Sequence, residues 1–86
     1  MTKSVFTQEY DHFRSLLIEA RKLRSITQAE LAKKLRKPQS FVSKYERGER
    51  RLDIIEFIAV AHALGLNAHD FVARIEEWIG NRSNAR

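Results

Sequence analysis

The sequence contains no cysteine and only three glycines among its 86 residues. Without cysteine there are no disulfide bonds and no thiolate metal sites, and the three glycines form no glycine-rich loop that would cradle a phosphate. No apolar run approaches the roughly 20 residues that cross a bilayer, and the first residues lack the apolar core of a signal peptide. We therefore expect a cytoplasmic protein without a membrane partner.

Motifs for catalysis and metal binding are missing as well. The histidines His12, His62 and His69 fall on three different predicted helices, and none has the His-Glu-x-x-His spacing of a zinc site. The sequence has neither a Gly-x-Ser-x-Gly motif nor paired carboxylates beside a histidine. We predict that the protein is not an enzyme and binds neither a cofactor nor a metal ion.

The residues that are present predict one small helical domain. Hydrophobic residues make up 43% and aromatic residues 9% of the chain, enough for one modest core. Apolar residues recur at helical spacing throughout, and no segment shows the sustained alternation of a strand. The sequence therefore predicts a compact all-α fold with five helices.

Each predicted helix begins at a residue suited to a helix start: Thr7, Thr27, Pro38, Asp53 and Asn67. Thr27 and Asp53 are each followed three residues later by glutamate, which completes a capping box. The predicted helix ends lie near Arg24, Leu35, Arg47, Leu64 and Gly80. The apolar residues Leu23 and Ile54 are expected to face the core. We expect the domain over 7–80 and flexible tails at 1–6 and 81–86.

Positive charge is concentrated in one stretch, residues 33–51. This stretch carries eight basic side chains against two acidic ones, so the formal net charge of +5 arises within it. The basic residues are Lys33, Lys34, Arg36, Lys37, Lys44, Arg47, Arg50 and Arg51. Clustered lysine and arginine displace the counterions condensed on a phosphate backbone, so the stretch predicts a polyanionic partner.

The third helix, inside this stretch, divides into two faces. Phe41, Val42 and Tyr45 turn toward the other helices, and the opposite face carries Gln39, Ser40, Ser43, Lys44 and Arg47. In the major groove of DNA, amide side chains pair with adenine, whereas lysine and arginine pair with guanine. A polar helix that follows another short helix after a tight turn is the arrangement of a helix-turn-helix motif.

Some residues of this helix have two interpretations. Phe41 and Tyr45 are predicted to pack within the protein rather than to stack on bases, although Phe41 lies where it would reach a thymine methyl group. The hydroxyl of Ser43 either contacts a base or donates to a carbonyl of its own helix.

Three stretches carry a resemblance to a known family. They are Thr27-Gln28-Ala29-Glu30-Leu31-Ala32, then Pro38-Gln39-Ser40-Phe41-Val42-Ser43-Lys44-Tyr45-Glu46-Arg47-Gly48, and a helix ending Ala63-Leu64-Gly65-Leu66. With them, residues 16–71 closely resemble the phage repressor and Cro-type helix-turn-helix family. The resemblance implies a transcriptional regulator that binds a (pseudo)palindromic operator in double-stranded DNA as a homodimer.

The resemblance also implies roles for individual residues in DNA binding. Gln39, Ser40 and Lys44 match base-contacting positions, and Arg47, Arg50 and Arg51 match loop positions beside the DNA backbone. Gln28 matches a position that holds a phosphate and is a candidate brace for Gln39. Lys37 and Ser43 complete the predicted DNA-binding set.

Two further features concern the scaffold. Arg21 and Glu46 match a buried ion pair that ties the first helix to the third, with a structural role. Ser25 and Arg36 stand where the family commonly has glycine. Either Arg36 adopts a strained left-handed conformation or the turn before the third helix differs by one residue.

The fifth helix carries an unusually wide apolar stripe: Phe71, Val72, Ile75, Trp78 and Ile79. Trp78 and Ile79 lie beyond the family-like region, and we predict that they form the homodimer interface. In the alternative, Trp78 folds back over the first helix near Phe6 and Tyr10.

Two other functions stay open on the sequence alone. The antitoxin of a toxin–antitoxin pair has a similar DNA-binding half and a toxin as its partner. A protein-interaction module that has kept the fold would bind protein without reading DNA, although the basic rim around Gln39 and Ser40 argues against it. Contact of a regulator with RNA polymerase is likewise open.

Overall fold

The computed structural model describes residues 7–84, and the side chains of residues 7–81. It contains five helices: α1 (Gln8–Leu23), α2 (Gln28–Leu35), α3 (Gln39–Glu46), α4 (Ile54–Ala63) and α5 (Ala68–Asn84). The predicted all-α class and its five helices are confirmed. Residues 1–6 and 85–86 of the predicted tails lie outside the described residues. Residues 81–84, also predicted as tail, belong to α5.

Local side-chain hydrogen bonds explain where α2 and α4 begin. At α2 the Thr27 hydroxyl accepts from the Glu30 amide at 3.0 Å, and the Glu30 carboxylate accepts from the Thr27 amide at 2.8 Å. At α4 Asp53 and Glu56 form the same pair of bonds at 2.7 and 2.9 Å. Each capping box satisfies two backbone N–H groups that have no partner within the helix, so both helices begin where the sequence predicts.

The turn between α2 and α3 contains a left-handed arginine. Arg36 has φ 58° and ψ 42°, and the backbone N–H of Lys37 donates to the carbonyl of Ala32 at 3.0 Å. A non-glycine residue in this conformation costs about 1–2 kcal/mol, and Ser25, with φ 55°, is in the same region. The strained alternative for Arg36 is therefore confirmed, and α3 begins directly after Pro38 as expected.

The core is formed by side chains from all five helices. Its largest fully buried side chains are Leu17, Leu31, Val42, Tyr45, Val60 and Leu64. Phe13, Phe57 and Phe71 form an aromatic cluster with ring centroids 5.4–6.0 Å apart, which joins α1, α4 and α5. Rings at these tilted and edge-on angles attract one another beyond the effect of burial.

Two residues predicted to face the core are exposed instead. Leu23 is 77% exposed and Ile54 is 61% exposed. Leu23 is the last residue of α1 and Ile54 the first of α4. At these helix ends no neighbouring helix covers the side chain. The helical spacing of apolar residues therefore predicted a core position for Leu23 and Ile54 that the packing does not provide.

The predicted end of α5 at Gly80 is wrong, because the helix continues to Asn84. Glycine ends a helix when it adopts a left-handed conformation, as Gly48 and Gly65 do with φ of 81° and 75°. Gly80 remains helical. A glycine inside a helix costs about 1 kcal/mol relative to alanine, which is too little to stop a helix that otherwise continues.

A buried ion pair connects α1 to α3. Arg21 donates to Glu46 through Nε at 2.7 Å and Nη2 at 3.0 Å, and its Nη1 donates to the carbonyl of Ile26 at 2.8 Å. Both residues are less than a tenth exposed. The two parallel bonds fix the guanidinium and the carboxylate in one plane, so they also fix how α1 and α3 approach each other.

We predict that Arg21→Ala lowers the free energy of unfolding by about 3–5 kcal/mol, because Glu46 keeps its charge in a buried position without its partner. Chemical denaturation followed by circular dichroism measures the change. Lys22→Ala, at the exposed neighbour on the same helix, is the control. A variant Arg21→Ala with the wild-type denaturation midpoint would contradict this role of the pair.

Candidate nucleic-acid interface

The exposed face of α3 carries polar and basic side chains. Gln39, Ser40 and Lys44 are exposed, whereas Val42 and Tyr45 on the other face are buried. The predicted packing role of Tyr45 is thus confirmed. Burial raises the pKa of the Tyr45 hydroxyl well above its usual range, and the Glu46 carboxylate raises it further. The division of faces leaves amide, hydroxyl and ammonium groups directed away from the core.

The hydroxyl of Ser43 is engaged within α3. It donates to the carbonyl of Ser40 at 3.3 Å, and the residue is half-buried. Of the two predicted roles of the Ser43 hydroxyl, this is the hydrogen bond to a carbonyl of its own helix. A base contact would require the hydroxyl to rotate away from this bond.

The side chain of Gln28, at the start of α2, is held by the ion pair. Its Nε2 donates to Glu46 Oε1 at 2.8 Å, so the amide nitrogen is bound to Glu46 rather than bracing Gln39. A carboxylate is a stronger acceptor than an amide oxygen, which explains the preference. The bond links the beginning of α2 to the end of α3.

Arg47, at the end of α3, is paired with an acidic residue of the following loop. It donates to Glu49 through Nε at 2.9 Å and through Nη2 at 3.1 Å. This hydrogen bond lowers the pKa of the Glu49 carboxyl and raises that of the arginine. Both side chains are more than half exposed, so the pair is screened by solvent and easily exchanged.

Arg50 is held more firmly than Arg47. Its Nη1 and Nη2 donate to the two carboxylate oxygens of Glu56, each at 2.9 Å, and its guanidinium lies 4.9 Å from the centre of the Phe41 ring. The bond from Arg50, followed by the one from the Asp53 amide, lowers the pKa of the Glu56 carboxyl. Glu56 thereby serves the capping box of α4 and the loop at once.

Arg51 and Lys37 each lie over an aromatic ring. The Arg51 guanidinium is 4.6 Å from the centre of the Tyr10 ring, and Tyr10 also accepts a hydrogen bond from the Leu52 amide at 3.0 Å. The Lys37 ammonium is 5.3 Å from the centre of the Phe41 ring. Cations in these positions are attracted by the ring face. The loop after α3 thus contacts Tyr10 of α1 and Phe41 of α3.

The sequence analysis missed the roles of Glu49, Glu56 and Tyr10. The sequence indicated that Glu56 completes a capping box. Its ion pair with Arg50 depends on the path of the loop after α3, which brings Arg50 next to it. Glu49 stands two residues after Arg47, a spacing that by itself does not indicate a pair. Tyr10 was considered only as a neighbour of Trp78, because its distance in the chain from Arg51 and Leu52 gives no sign of these contacts.

Trp78 folds back onto α1. Its ring stacks on the imidazole of His12, with the centroids 4.0 Å apart and the planes within 10°. The half-buried indole packs against α1 as in the alternative interpretation, although on His12, and the role of Trp78 in a homodimer interface stays a prediction. Phe6, part of that alternative, lies outside the described residues.

An apolar surface remains exposed beside Trp78. Ile79 is 37% and Val72 45% exposed, on the same side of α5. Val72 also lines a shallow groove with Ile54 of α4, above Phe13 and Phe57 of the core. This surface is formed by two helices, not by the end of α5 alone.

No helix within residues 7–84 is long and apolar enough to span a membrane. In the same part, no three histidine, aspartate or glutamate side chains are grouped so that they would hold a metal ion.

The fold and the exposed face of α3 together define a helix-turn-helix protein. The helix-turn-helix family model matches residues 17–71, so the chain belongs to the Cro/C1-type (XRE) helix-turn-helix family of DNA-binding regulators. No curated protein sequence gives a significant match.

Solved structures support the same family. An XRE-family-like protein from Pseudomonas syringae pv. tomato is 44% identical, with a TM-score of 0.80 over 81% of this chain and 85% of that one. The clp gene regulator ClgR from Corynebacterium glutamicum is similar in fold in two structures. The first is 24% identical, with a TM-score of 0.71 over 84% of this chain and 94% of that one. The second is 22% identical, with a TM-score of 0.72 over 92% of this chain and 84% of that one.

The ion pair of Arg50 and Glu56 predicts a pH-dependent contribution to stability. Because the pKa of Glu56 is lowered in the folded protein, this contribution is present above the usual glutamate pKa of about 4.3 and is lost as the pH falls through the lowered value. Glu56→Gln should thus be less stable than wild type from pH 7 to about 5, with a difference that shrinks at lower pH. Thermal unfolding at a series of pH values measures this difference.

Glu19→Gln, at an exposed position of α1, is the matched control for the loss of one carboxylate. A difference between wild type and Glu56→Gln that stays constant below pH 4 would contradict the assignment of this charge effect to Glu56.

Proposed function

We propose that the protein is a sequence-specific regulator of transcription that binds a (pseudo)palindromic operator as a homodimer. The observation that carries the proposal is the exposed face of α3, on which Gln39, Ser40 and Lys44 stand together between basic residues. Such a face fits the donor and acceptor pattern of base edges in the major groove. Membership of a DNA-binding family supports the same function.

The DNA-binding residues divide by the kind of contact. Gln39, Ser40 and Lys44 contact base edges, and Ser43 joins them if its hydroxyl leaves the Ser40 carbonyl. Lys37, Arg47, Arg50, Arg51 and the amide end of α2 at Gln28 contact phosphates. Phosphate contacts fix the position of the protein on the duplex, and base contacts select the sequence.

The existing ion pairs of the arginines affect how they bind phosphate. The exposed pair of Arg47 with Glu49 is screened by solvent, so a phosphate can displace the carboxylate from Arg47 at little cost. Arg50 keeps Glu56 and presents the remaining edge of its guanidinium. We therefore assign the more adaptable phosphate contact to Arg47 and the more fixed one to Arg50.

The homodimer is proposed to form through α5. Trp78 and Ile79 are expected there from the sequence, and the exposed Val72 and Ile54 support an apolar surface that extends to α4. A two-fold axis through this surface would place the two α3 helices in successive major grooves, about 34 Å apart. Exposed apolar patches of this kind are typical of protein interfaces.

Sequence selection is tested first. Wild type should enrich one motif from random duplex DNA, and Gln39→Ala or Lys44→Ala should lose the preference at one base position of each half-site, about 1–3 kcal/mol. Lys37→Ala, the phosphate-contacting comparison, should weaken binding to all sequences and reduce the salt slope by about one. Equal losses on operator and random DNA for Gln39→Ala would argue against a base contact by this residue.

The dimer is tested by sedimentation and operator binding. Ile79→Glu should produce a folded monomer with greatly weakened operator binding, because it places a charge in the apolar surface without removing a core contact. Trp78→Glu should in addition lower the melting temperature, since it removes the stack on His12. Leu23→Glu, at an exposed leucine of α1, is the control and should leave the mass unchanged. A dimeric Ile79→Glu would exclude this interface.

A further inference from the structure

Three parts of the DNA-binding region meet at the ring of Phe41. Lys37 belongs to the turn before α3, Phe41 to α3 itself, and Arg50 to the loop after it. The Lys37 ammonium and the Arg50 guanidinium lie 5.3 and 4.9 Å from the centre of the ring. We call these three residues the Phe41 cluster. Its two cations are brought together by one aromatic side chain that the sequence analysis assigned to packing or to a thymine contact.

The protein side of the cluster is fixed. The Phe41 ring packs edge-on against Tyr45, with the centroids 5.8 Å apart, and Tyr45 is almost completely buried. Arg50 is held by two hydrogen bonds to Glu56, which is itself bound to the Asp53 amide at the start of α4. Both the ring and the guanidinium that covers it are therefore held in place by contacts deeper in the structure.

Lys37 is the most exposed member of the cluster. It follows the left-handed Arg36 directly. Its charge also acts on Glu56, because the pKa of that carboxyl, lowered chiefly by Arg50, is lowered further by Lys37. Both cations lie within 5.3 Å of the same ring centre, so the Lys37 ammonium lies beside the first turn of α3.

A lysine that binds phosphate from a mobile state must give up side-chain freedom, which reduces the net gain. A ring face beneath the ammonium restricts it beforehand and leaves its three N–H donors available, since the attraction to the ring uses only charge. We infer that Phe41 is a positioning residue for DNA binding, which holds the Lys37 ammonium where a backbone phosphate binds. This inference rests on the proposed function in DNA binding.

The test is a double-mutant cycle on random-sequence duplex DNA, with affinities measured at several salt concentrations. The cycle combines Phe41→Leu with Lys37→Ala. A parallel cycle combines Phe41→Leu with Lys33→Ala, which removes an exposed lysine of α2 from the same basic stretch. Phe41→Tyr and Phe41→Trp restore an aromatic face. Melting temperatures show that each variant is folded, and Phe41→Met replaces the leucine variant if that one is not.

We expect Phe41→Leu to weaken binding about two- to fivefold, the equivalent of one exposed cation–π contact. In the Lys37→Ala background it should cause no further loss, whereas its loss and that of Lys33→Ala should multiply. The tyrosine and tryptophan variants should bind like wild type.

Independent losses from Phe41→Leu and Lys37→Ala would overturn the inference, as would wild-type affinity for Phe41→Leu or no rescue by the aromatic variants. These outcomes presuppose that wild type binds duplex DNA. A wild-type protein that binds no duplex at low salt would instead overturn the proposed function, and the inference with it.

Discussion

The buried carboxylate of Glu46 is the constraint on which the arrangement of the helices depends. It accepts two hydrogen bonds from Arg21 and one from Gln28, and the backbone carbonyl of the same residue accepts one from Arg14. A buried charge is tolerated only when it is paired and hydrogen-bonded. The end of α3 must therefore meet α1 and the start of α2 together, and this requirement directs the opposite face of α3 toward solvent.

The basic rim of the recognition face is organised by acidic and aromatic partners. Glu49 holds Arg47, Glu56 holds Arg50, and Tyr10 lies under Arg51. The two carboxylates offset part of the positive charge, so the number of basic residues overstates the number of freely available cations. In return, Glu56 and Tyr10 define where the guanidinium groups of Arg50 and Arg51 lie before any phosphate approaches, which reduces the ordering cost of binding.

Features that depend on neighbours along the chain were the ones predicted well. The capping boxes at Thr27 and Asp53 act between residues three apart, and Gly65 ends α4 through its own backbone conformation. The errors in core membership and in the bounds of helices arose near helix ends. Leu23 and Ile54 have the right spacing for the core but lie beyond its edge, and Gly80 occurs where the local sequence permits both an end and a continuation.

The sequence by itself determined the helices, the family and the polar face of α3, because these follow from periodicity and from motifs of consecutive residues. Only the tertiary structure decided that Gln28 binds Glu46, that Arg51 lies on Tyr10, and that Trp78 stacks on His12. In each of these pairs the partners are far apart in the chain. Whether they meet depends on the angle and distance at which whole helices pack, and no local pattern of residues encodes that geometry.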